Sequence, residues 1–565
     1  MRILFRCDGG RIPEIGTGHI VRCLLLAGRL KEEGHEIGFA IARDEWGLQK
    51  IKDSKYPTFQ LPKDASGEEA GLTKAIKSFG TDVVVVDRLD TSKRFMATIK
   101  RATNLLMTLD NRGTGAPLAD LLINGMIRGG DTPYRGYDYV VLPPRKIRKK
   151  KILKECKKVF IAFGGYDHLG LVPKAFEAAQ SFSRSARFTV VSGNKNGESN
   201  GKGVPDSLQG RLRVFKWVKD LDPLVENSDL AILSGGLSLY QALSFGVPSL
   251  VISQYPHQLE TAEKLAKDNA AVNLGSGSEL APEGIQKAAR QLLSDYSQRV
   301  ALSKKAQSLI DRNGLHRVTR LIQVVKFLQW DTRFFKKRIA RLYPFRINER
   351  IVKFAFRFCG REKIDCLYYL ADCHDPKSVG LAEKYGFHFV DTRLTLGIDL
   401  EKGAPHRQRP ESKGITLREF KKADLPFLKK ISETSYRSSR YYFDGHFSRD
   451  LCAKFYSEWI TKSCRGSSEK VFVAVSEEGP VGYLTCERDD FLRGRFSLVG
   501  VHEKFQSRGV GRLLVQKGLE WFRGEGVRFV QVVTQGRNYG AQRLYQRSGF
   551  VTEKSEIWYH KWFRG

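Results

Sequence analysis

The sequence predicts an α/β protein made of two consecutive doubly wound parallel sheets with a third α/β domain behind them. Three observations predict it. Apolar strand-like segments alternate with amphipathic helical stretches across the first third of the chain; the same alternation restarts after the basic run Arg145–Lys158; and Ser497–Phe550 reads as strand, glycine turn, helix and strand, followed by Asn538, Tyr545, Gly549 and Phe550. Strands alternating with helices imply parallel pairing, because each crossover helix returns the chain to the same end of the sheet.

In the first lobe, Ile3–Cys7, Glu36–Ala42, Asp82–Asp87 and Leu105–Asp110 read as strands, and the helical stretch from His19 ends on Gly34, a residue that terminates helices in the left-handed conformation. In the second, Lys158–Gly165, Phe188–Gly193, Leu212–Val218, Leu230–Gly236 and Ser249–Ser253 repeat the pattern, and a helix over Leu315–Trp330 closes it near residue 330. The expected domains are 1–145, 146–328, a half-domain at 329–400, a polar linker at 401–414 with two prolines, and 415–565. In the half-domain, Ala382–Phe387 (AEKYGF) echoes Leu544–Phe550 (LYQRSGF), which predicts a degenerate half-copy that completes or flanks the last sheet.

A chain of 565 residues exceeds what one core supports, since single cores stop growing at about 250–300 residues. No run of about 18 apolar residues is present to span a membrane. The N-terminus reads as a first strand and not as a signal peptide, so the expected address is the cytoplasm. Nine cysteines lie singly, with no C-x-x-C pair, which argues against a disulfide framework or a metal site. The net charge of +33 is diffuse outside Arg145–Lys158 and is not interleaved with aromatic residues, so no specific nucleic-acid partner is expected. It favours di- and triphosphate ligands, and leaves the oligomeric state open.

The glycine turn carries the most specific chemistry. Gly509 and Gly511 lack Cβ atoms and open a helix, so the backbone N–H groups of Arg508–Arg512 are placed to meet a diphosphate at a helix N-terminus. Here the chain resembles the GNAT family of acetyl-CoA-dependent N-acetyltransferases, whose Q/R-x-x-G-x-G/A motif is met by Gln506, Ser507, Arg508, Gly509, Val510 and Gly511. The resemblance implies a GNAT fold and acetyl-CoA as cofactor. It implies that the diphosphate lies on that turn and on Arg512, that the strand with Val499 and Val501 pairs with the pantetheine arm, that Asn538 contacts the cofactor, and that Tyr545 protonates the departing thiolate. Glu487 and His502 are possible bases for the acceptor amine. Ser439–Asp444 (SRYYFD) and Phe455–Ile460 (FYSEWI) resemble the acetyltransferases that modify the 4-amino group of nucleotide-linked deoxysugars.

A second site centres on His19, which follows Gly16 and Gly18 at the carboxyl edge of the first sheet, where a near-neutral imidazole is suited to act as a base. Ser234, Gly235 and Gly236 sit between a buried strand and a helix, so their amides are placed for a phosphate, with Ser238 as a hydroxyl donor and Gln241 one helical turn on, toward a ribose. Over roughly the first 325 residues, through Ile123–Met126, Tyr134–Leu142, Phe163 and Asp229–Ser253, the chain resembles the nucleotide-sugar hydrolases of the pseudaminic acid pathway, which have a two-lobed glycosyltransferase B scaffold. That resemblance implies that His19 activates water, that UDP lies on the second lobe, and that the substrate meets Asp8, Gly18, Arg22, Gly235, Gly236, Ser238, Gln241, His257 and Gln258. The chain departs from the pattern at Gln241, where that family has glutamate, at His257–Gln258, and in the VDRLD of Val86–Asp90. Consecutive acetylation and UDP release on one nucleotide-activated, UDP-linked amino sugar is the expected activity. The alternatives are a glycosyltransferase, or a non-catalytic nucleotide-sugar-binding pair of lobes, fused to the acetyltransferase.

Overall fold

The computed structural model describes residues 1–10, 16–42, 45–126, 131–179, 182–192, 208–402 and 414–563. It falls into two compact units, Met1–Gln323 and Val324–Gly565. Most of the predicted linker at 401–414 lies outside the described residues.

The first unit holds two wholly parallel sheets. One comprises β1 (Arg2–Cys7), β2 (Glu36–Ile41), β3 (Thr58–Gln60), β4 (Val83–Asp87), β5 (Leu105–Leu109), β6 (Leu121–Asn124) and β7 (Tyr134–Arg135) in the order β3-β2-β1-β4-β5-β6-β7. The other comprises β8 (Lys158–Ala162), β9 (Arg187–Val191), β10 (Leu212–Phe215), β11 (Leu230–Leu233), β12 (Ser249–Ser253) and β13 (Val272–Ser276) in the order β10-β9-β8-β11-β12-β13. These are two Rossmann-like lobes of the glycosyltransferase B type. The valines of β4 are fully buried, as a strand covered by helices on both faces requires. Strand order reverses between β1 and β4 in one sheet and between β8 and β11 in the other, and the crevice outside such a switch point is where doubly wound sheets bind ligands.

The helix expected over Leu315–Trp330 ends at Gln323 instead. Val324 adopts φ +60°, and Val325–Phe327 forms β14, antiparallel to β15 (Ile339–Leu342). Val325, β-branched and at a sheet edge, gains more from strand pairing than from continuing a helix that restricts its χ1, and Val324 makes the turn that separates the two. A separate helix then covers Gln329–Phe335.

The second unit is one ten-stranded sheet that adds β16 (Cys366–Asp372), β17 (His388–Asp399), β18 (Thr416–Glu419), β19 (Lys470–Ser476), β20 (Gly479–Arg488), β21 (Arg493–Val501), β22 (Phe529–Gln535) and β23 (Val551–Trp562). Its order, β14-β15-β16-β23-β17-β22-β21-β20-β19-β18, shows a reciprocal exchange. The run β14, β15, helix Glu349–Arg361, β16, helix Pro376–Lys384, β17 repeats in order and pairing direction as β20, β21, helix Val510–Gly524, β22, helix Tyr539–Arg547, β23. Each repeat gives its last strand to the other, so that β23 pairs with β16 while β17 pairs with β22, all antiparallel. The segment 329–400 therefore contributes to the middle of the sheet and not only to its edge.

A buried polar node ties the short helix Arg440–Asp444 to β23. His560 is fully buried, its Nδ1–H donates to Asp444, and its Nε2 accepts from Arg440 Nη1 at 2.6 Å. Trp562 Nε1 and His446 Nδ1 also donate to Asp444, at 2.9 and 2.7 Å. Cys366, Asp444 and His560 offer ligand atoms within 4.8 Å of one another, but both imidazole nitrogens are already engaged, so no lone pair remains for an ion. Burial, reinforced by the Arg440 charge and opposed by Asp444, pushes the imidazole down to about 4. Between pH 6.5 and 4 the unfolded chain therefore binds a proton at His560 that the folded chain refuses, and stability falls as pH falls across that window by up to about 3 kcal/mol. Urea midpoints measured across it are expected to lose part of their slope in His560→Gln, whose amide oxygen still accepts from Arg440.

Candidate functional sites

The ten residues singled out in the first unit line one cleft of about 580 Å³ at the carboxyl ends of β1, β4, β8 and β11. Gly18 and His19 open the helix Gly18–Glu32, with Thr17 at its N-cap position. His19 Nδ1–H donates to Asp87 Oδ1 at 2.6 Å; the imidazole is 26% exposed and Asp87 fully buried at the end of β4. With Nδ1 so engaged, Nε2 is the free nitrogen on the cleft side. Burial alone would raise Asp87, but Arg22 and His19 hold it well below the usual carboxylate range. Arg22 grips Asp87 through Nε at 2.8 Å and Nη2 at 2.5 Å and reaches Asp110 through Nη1. Asp8 is bound by Arg6 at 2.7 and 2.8 Å and accepts from Ala42 N at 3.0 Å, and Arg6 is in turn paired with Glu68 at 2.6 Å. Asp8 and Arg22 thus form the wall of the cleft, with polar atoms engaged in buried ion pairs. Residues 11–15, ahead of Gly16, lie outside the described residues.

On the second lobe, Gly236 precedes the helix Leu237–Ser244, which holds Ser238 and Gln241. Gly235 is packed so tightly that a Cβ there would come within 2.7 Å of the Gln258 carbonyl oxygen, so any side chain would displace the helix Pro256–Lys267 from the cleft. Gln258 Oε1 accepts from Gln254 N at 2.9 Å. Gln241 Nε2 donates to Asp222 Oδ1 at 3.0 Å, and Asp222 is clamped by Arg312 at 2.5 and 2.8 Å. Only an amide NH2 can donate to a carboxylate, so Asp222 fixes the side chain with Oε1 as the remaining acceptor, the role a glutamate oxygen would fill. His257 stacks on Tyr255, 5.5 Å away, and burial, with the charges of His19 and Arg112, holds it neutral at about 4. Among the described residues, the buried Ser234 Oγ and Gln254 Oε1, both on the cleft, have no hydrogen-bond partner.

Asp87, Asp110, Asp222 and Arg312 were not among the residues read from sequence as functional. Two of them were visible, since the apolar runs DVVVVD and LLMTLD both end in aspartate at the edge where a doubly wound sheet binds ligand. Asp222 and Arg312, 90 residues apart, carried no local signal.

In the second unit, β21 and β22 pair in parallel only from Arg493–Phe529 to Phe496–Val532, and then separate. A bulge lies at this point, where the β20 register shifts between Leu484 and Cys486, and Leu498 N donates to Thr485 Oγ1 at 2.9 Å. Further along, His502 N donates to Val481 O at 2.8 Å. Strand alternation then turns the main-chain groups of Val499 and Val501 away from β20, toward the gap. Val501 O accepts from Gln506 Nε2 at 3.0 Å. Ser507 and Gly509 adopt φ +61° and +86°, with Gly509 at the N-cap position of the helix that holds Val510, Gly511 and Arg512. These left-handed residues bring the N–H groups of Arg508 onward to the helix mouth, and Arg512 Nε is buried with no hydrogen-bond partner among the described residues. An extended, amide-bearing arm fits the gap, and a diphosphate fits the mouth.

Tyr545 is 4% exposed, and burial raises its hydroxyl above the ordinary value. Among the described residues its hydroxyl makes no hydrogen bond. Tyr436, whose hydroxyl is 3.0 Å from that of Tyr483, is within electrostatic reach of Tyr545. Asn538 caps the helix Tyr539–Arg547 by accepting from Ala541 N at 3.1 Å, which leaves its NH2 group free for a ligand. Glu487 is paired with Arg495 at 2.6 Å and accepts from Ser468 at 3.0 Å, while His502 Nδ1 accepts from Lys504 N at 3.3 Å, so neither presents a free base. In the repeat, the gap that would correspond to β21/β22 is closed: β15 and β16 pair from Ile339–Cys366 to Leu342–Tyr369, and Phe345 O accepts from Asp372 N and Tyr369 Oη at 3.0 and 2.9 Å.

No helix among the described residues is long and apolar enough to cross a membrane. Comparison with known proteins separates the same two parts. The chain is 29% identical to the spore coat polysaccharide biosynthesis protein SpsG of Bacillus subtilis over 57% of its own length and 98% of that protein. It is 23% identical to the dTDP-fucosamine acetyltransferase of Escherichia coli over 32% of its length and 74% of that enzyme. A crystal structure of MurG from Acinetobacter baumannii superposes with a TM-score of 0.46 and 16% identity, covering 57% of this chain and 99% of MurG. Residues 431–550 match the Acetyltransferase (GNAT) family, so the chain carries a C-terminal GNAT domain after its two Rossmann-like lobes.

Proposed function

We propose that the chain is a bifunctional nucleotide-sugar enzyme that N-acetylates a nucleotide-linked 4-amino-deoxysugar and hydrolytically releases UDP from the acetamido sugar, as in pseudaminic-acid-type biosynthesis. The observation that carries the reading is the His19–Asp87 pair at the floor of a two-lobed cleft, in a chain whose other unit opens β21 from β22 beside Tyr545. Two relatives support it by what they are named for, polysaccharide biosynthesis in one case and acetylation of a dTDP-amino sugar in the other.

In the first unit, His19 Nε2 takes the proton of a water as its oxygen bonds to the substrate, while UDP leaves with the electron pair of the broken bond. Asp87, kept ionised by Arg22, orients the imidazole and stabilises the imidazolium. The helix mouth at Gly235–Ser238 faces the departing diphosphate. In the second unit, acetyl-CoA would supply an activated acetyl group. The turn Gln506–Arg512 would hold its diphosphate, the free edge of β21 at Val499 and Val501 its arm, and Asn538 a further polar contact. Tyr545 holds a proton on Oη for the departing sulfur as the neutral sugar amine forms the new C–N bond and the C–S bond breaks, and the proton that the nitrogen sheds passes to solvent, from which the phenol is restored.

The test supplies acetyl-CoA with a panel of UDP- and dTDP-linked 4-amino-deoxysugars and follows free thiol and free nucleotide together. Both are expected to appear with the UDP-linked substrate and without an added acceptor. Thiol without nucleotide would leave only the acetyltransferase. Nucleotide released only when a second sugar is added would make the first unit a glycosyltransferase, for which the same His19–Asp87 pair would serve to deprotonate a hydroxyl.

A further inference from the structure

The second unit carries a cationic and aromatic patch that the reactions above do not use. Arg440 lies with its guanidinium 4.2 Å from the Tyr368 ring, 4.4 Å from Tyr441 and 4.2 Å from Trp558. Its hydrogen bonds go to His560 Nε2 and, at 2.8 Å, to Tyr441 Oη, so its partners are a neutral imidazole and a phenol. Among the described residues no carboxylate lies within ion-pair distance of it, yet it is only partly exposed. Asp331 and Asp391 act on it through space without forming an ion pair, and an arginine so covered by rings and so weakly compensated recurs where an anionic ligand completes the site.

Its neighbours extend the same sign of charge. Arg341 reaches the Trp558 ring at 5.0 Å, and Arg393 adds a guanidinium that is one-third exposed and close enough to Arg440 to feel its charge. Glu556 is shared between Arg393 at 3.3 Å and Lys554 at 2.6 Å, so it does not neutralise both. Tyr368 Oη is buried and has no hydrogen-bond partner among the described residues. These side chains share one face of the sheet, because Arg341 pairs with Tyr368, Tyr368 with His560, and Arg393 with Glu556 across adjacent strands. Arg393 also pairs with Gln535 on β22, the strand that borders the gap beside Tyr545. Strands lie about 4.8 Å apart, so the patch is within a few side-chain lengths of the acetyl-transfer gap.

We propose that Arg440, Arg341 and Arg393 bind the diphosphate of the nucleotide-linked acceptor, and that the exchanged strands β17 and β23 with β15 and β16 form the floor of this subsite. The planar guanidinium donates two parallel hydrogen bonds to phosphate oxygens, and stacking on Trp558 and Tyr368 holds its plane. The repeat without a glycine turn thereby contributes acceptor recognition, through Arg341, Tyr368 and Arg393. The inference rests on the acetyltransferase reading above and adds the part of the substrate that this unit grips.

The experiment measures acetyl transfer by the full chain with Arg440→Gln and Arg393→Gln. The Michaelis constant for the nucleotide-linked amine is expected to rise at least tenfold in each, with that for acetyl-CoA within twofold. UDP is expected to inhibit the wild type competitively against the amine, with an inhibition constant at least tenfold weaker in both variants. Calorimetric titration with UDP is expected to count one site fewer in Arg440→Gln than in the wild type. A lower kcat with unchanged acceptor Michaelis and UDP inhibition constants would mean that Arg440 only props the aromatic cluster, and would overturn the proposal. If Arg440→Gln fails to fold, Arg393→Gln decides alone, because Glu556 keeps Lys554 as its partner there. If the wild type acetylates no nucleotide-linked amine, the acceptor assignment above fails, and UDP inhibition of transfer to a free 4-amino sugar then decides this subsite separately.

Discussion

His19→Ala is expected to lower nucleotide release by a factor of about 10² to 10⁴, the range general-base catalysis provides, while thiol release from acetyl-CoA is unchanged. The expectation follows from the wiring of the imidazole. Nδ1 is held at 2.6 Å by a carboxylate that is itself fixed by Arg22, which leaves Nε2 as the lone pair on the cleft. Asp87→Asn keeps the shape but weakens the orientation of His19 and removes the counter-charge for its protonated form, so release is expected to drop by a comparable order. Asp87→Ala differs in kind. It removes the accepting oxygen as well as the charge and leaves Arg22 with only Asp110 in a buried site, where loss of one partner of a buried ion pair costs about 3–5 kcal/mol, so this variant is expected to unfold earlier than Asp87→Asn. Nucleotide assays paired with thermal melts separate the two effects. Retention of release in His19→Ala would move the base to another group on the cleft, with His257 the nearest candidate by its neutral state.

The two parallel sheets were legible because their evidence is local. Runs such as DVVVVD and KVFIAFGG are apolar throughout, end at glycine or aspartate and alternate with helical stretches, and each of those features acts within a few residues. The pairing of Asp87 with His19 and Arg22 was not legible, because it depends on which helix lies over which strand end. The same limit explains the second unit. The echo of AEKYGF in LYQRSGF pointed to a repeated helix and strand, yet nothing in either segment says that β17 and β23 pair with each other's neighbours. Where local chemistry was ambiguous, context decided: Val325–Phe327 sits in a helical pattern, and the free edge of β15 drew it into a strand. Gln241 shows the opposite case, in which an apparent departure from the hydrolase pattern is restored by a distant residue, Asp222, that sets which amide atom faces the cleft.

Tyr545→Phe is expected to reduce kcat for acetyl transfer by about 10² to 10³ with little change in the Michaelis constant for acetyl-CoA. The hydroxyl is the only atom removed, and it makes no hydrogen bond among the described residues, so the folded state loses little and the melting temperature is expected to hold. Burial keeps this phenol protonated through the neutral range, as a proton donor to a departing thiolate must be. The thiolate of the leaving group is a far weaker base than an alkoxide, so the reaction does not stop without the donor. Tyr436, within electrostatic reach of Tyr545 and bonded to the Tyr483 hydroxyl, is the second phenol to test in that role. The double variant Tyr436→Phe, Tyr545→Phe resolves that. If Tyr545→Phe alone costs less than threefold and the double variant costs the full factor, the proton reaches the sulfur through the Tyr436–Tyr483 pair, and Tyr545 serves only to close the apolar side of the gap against Phe550.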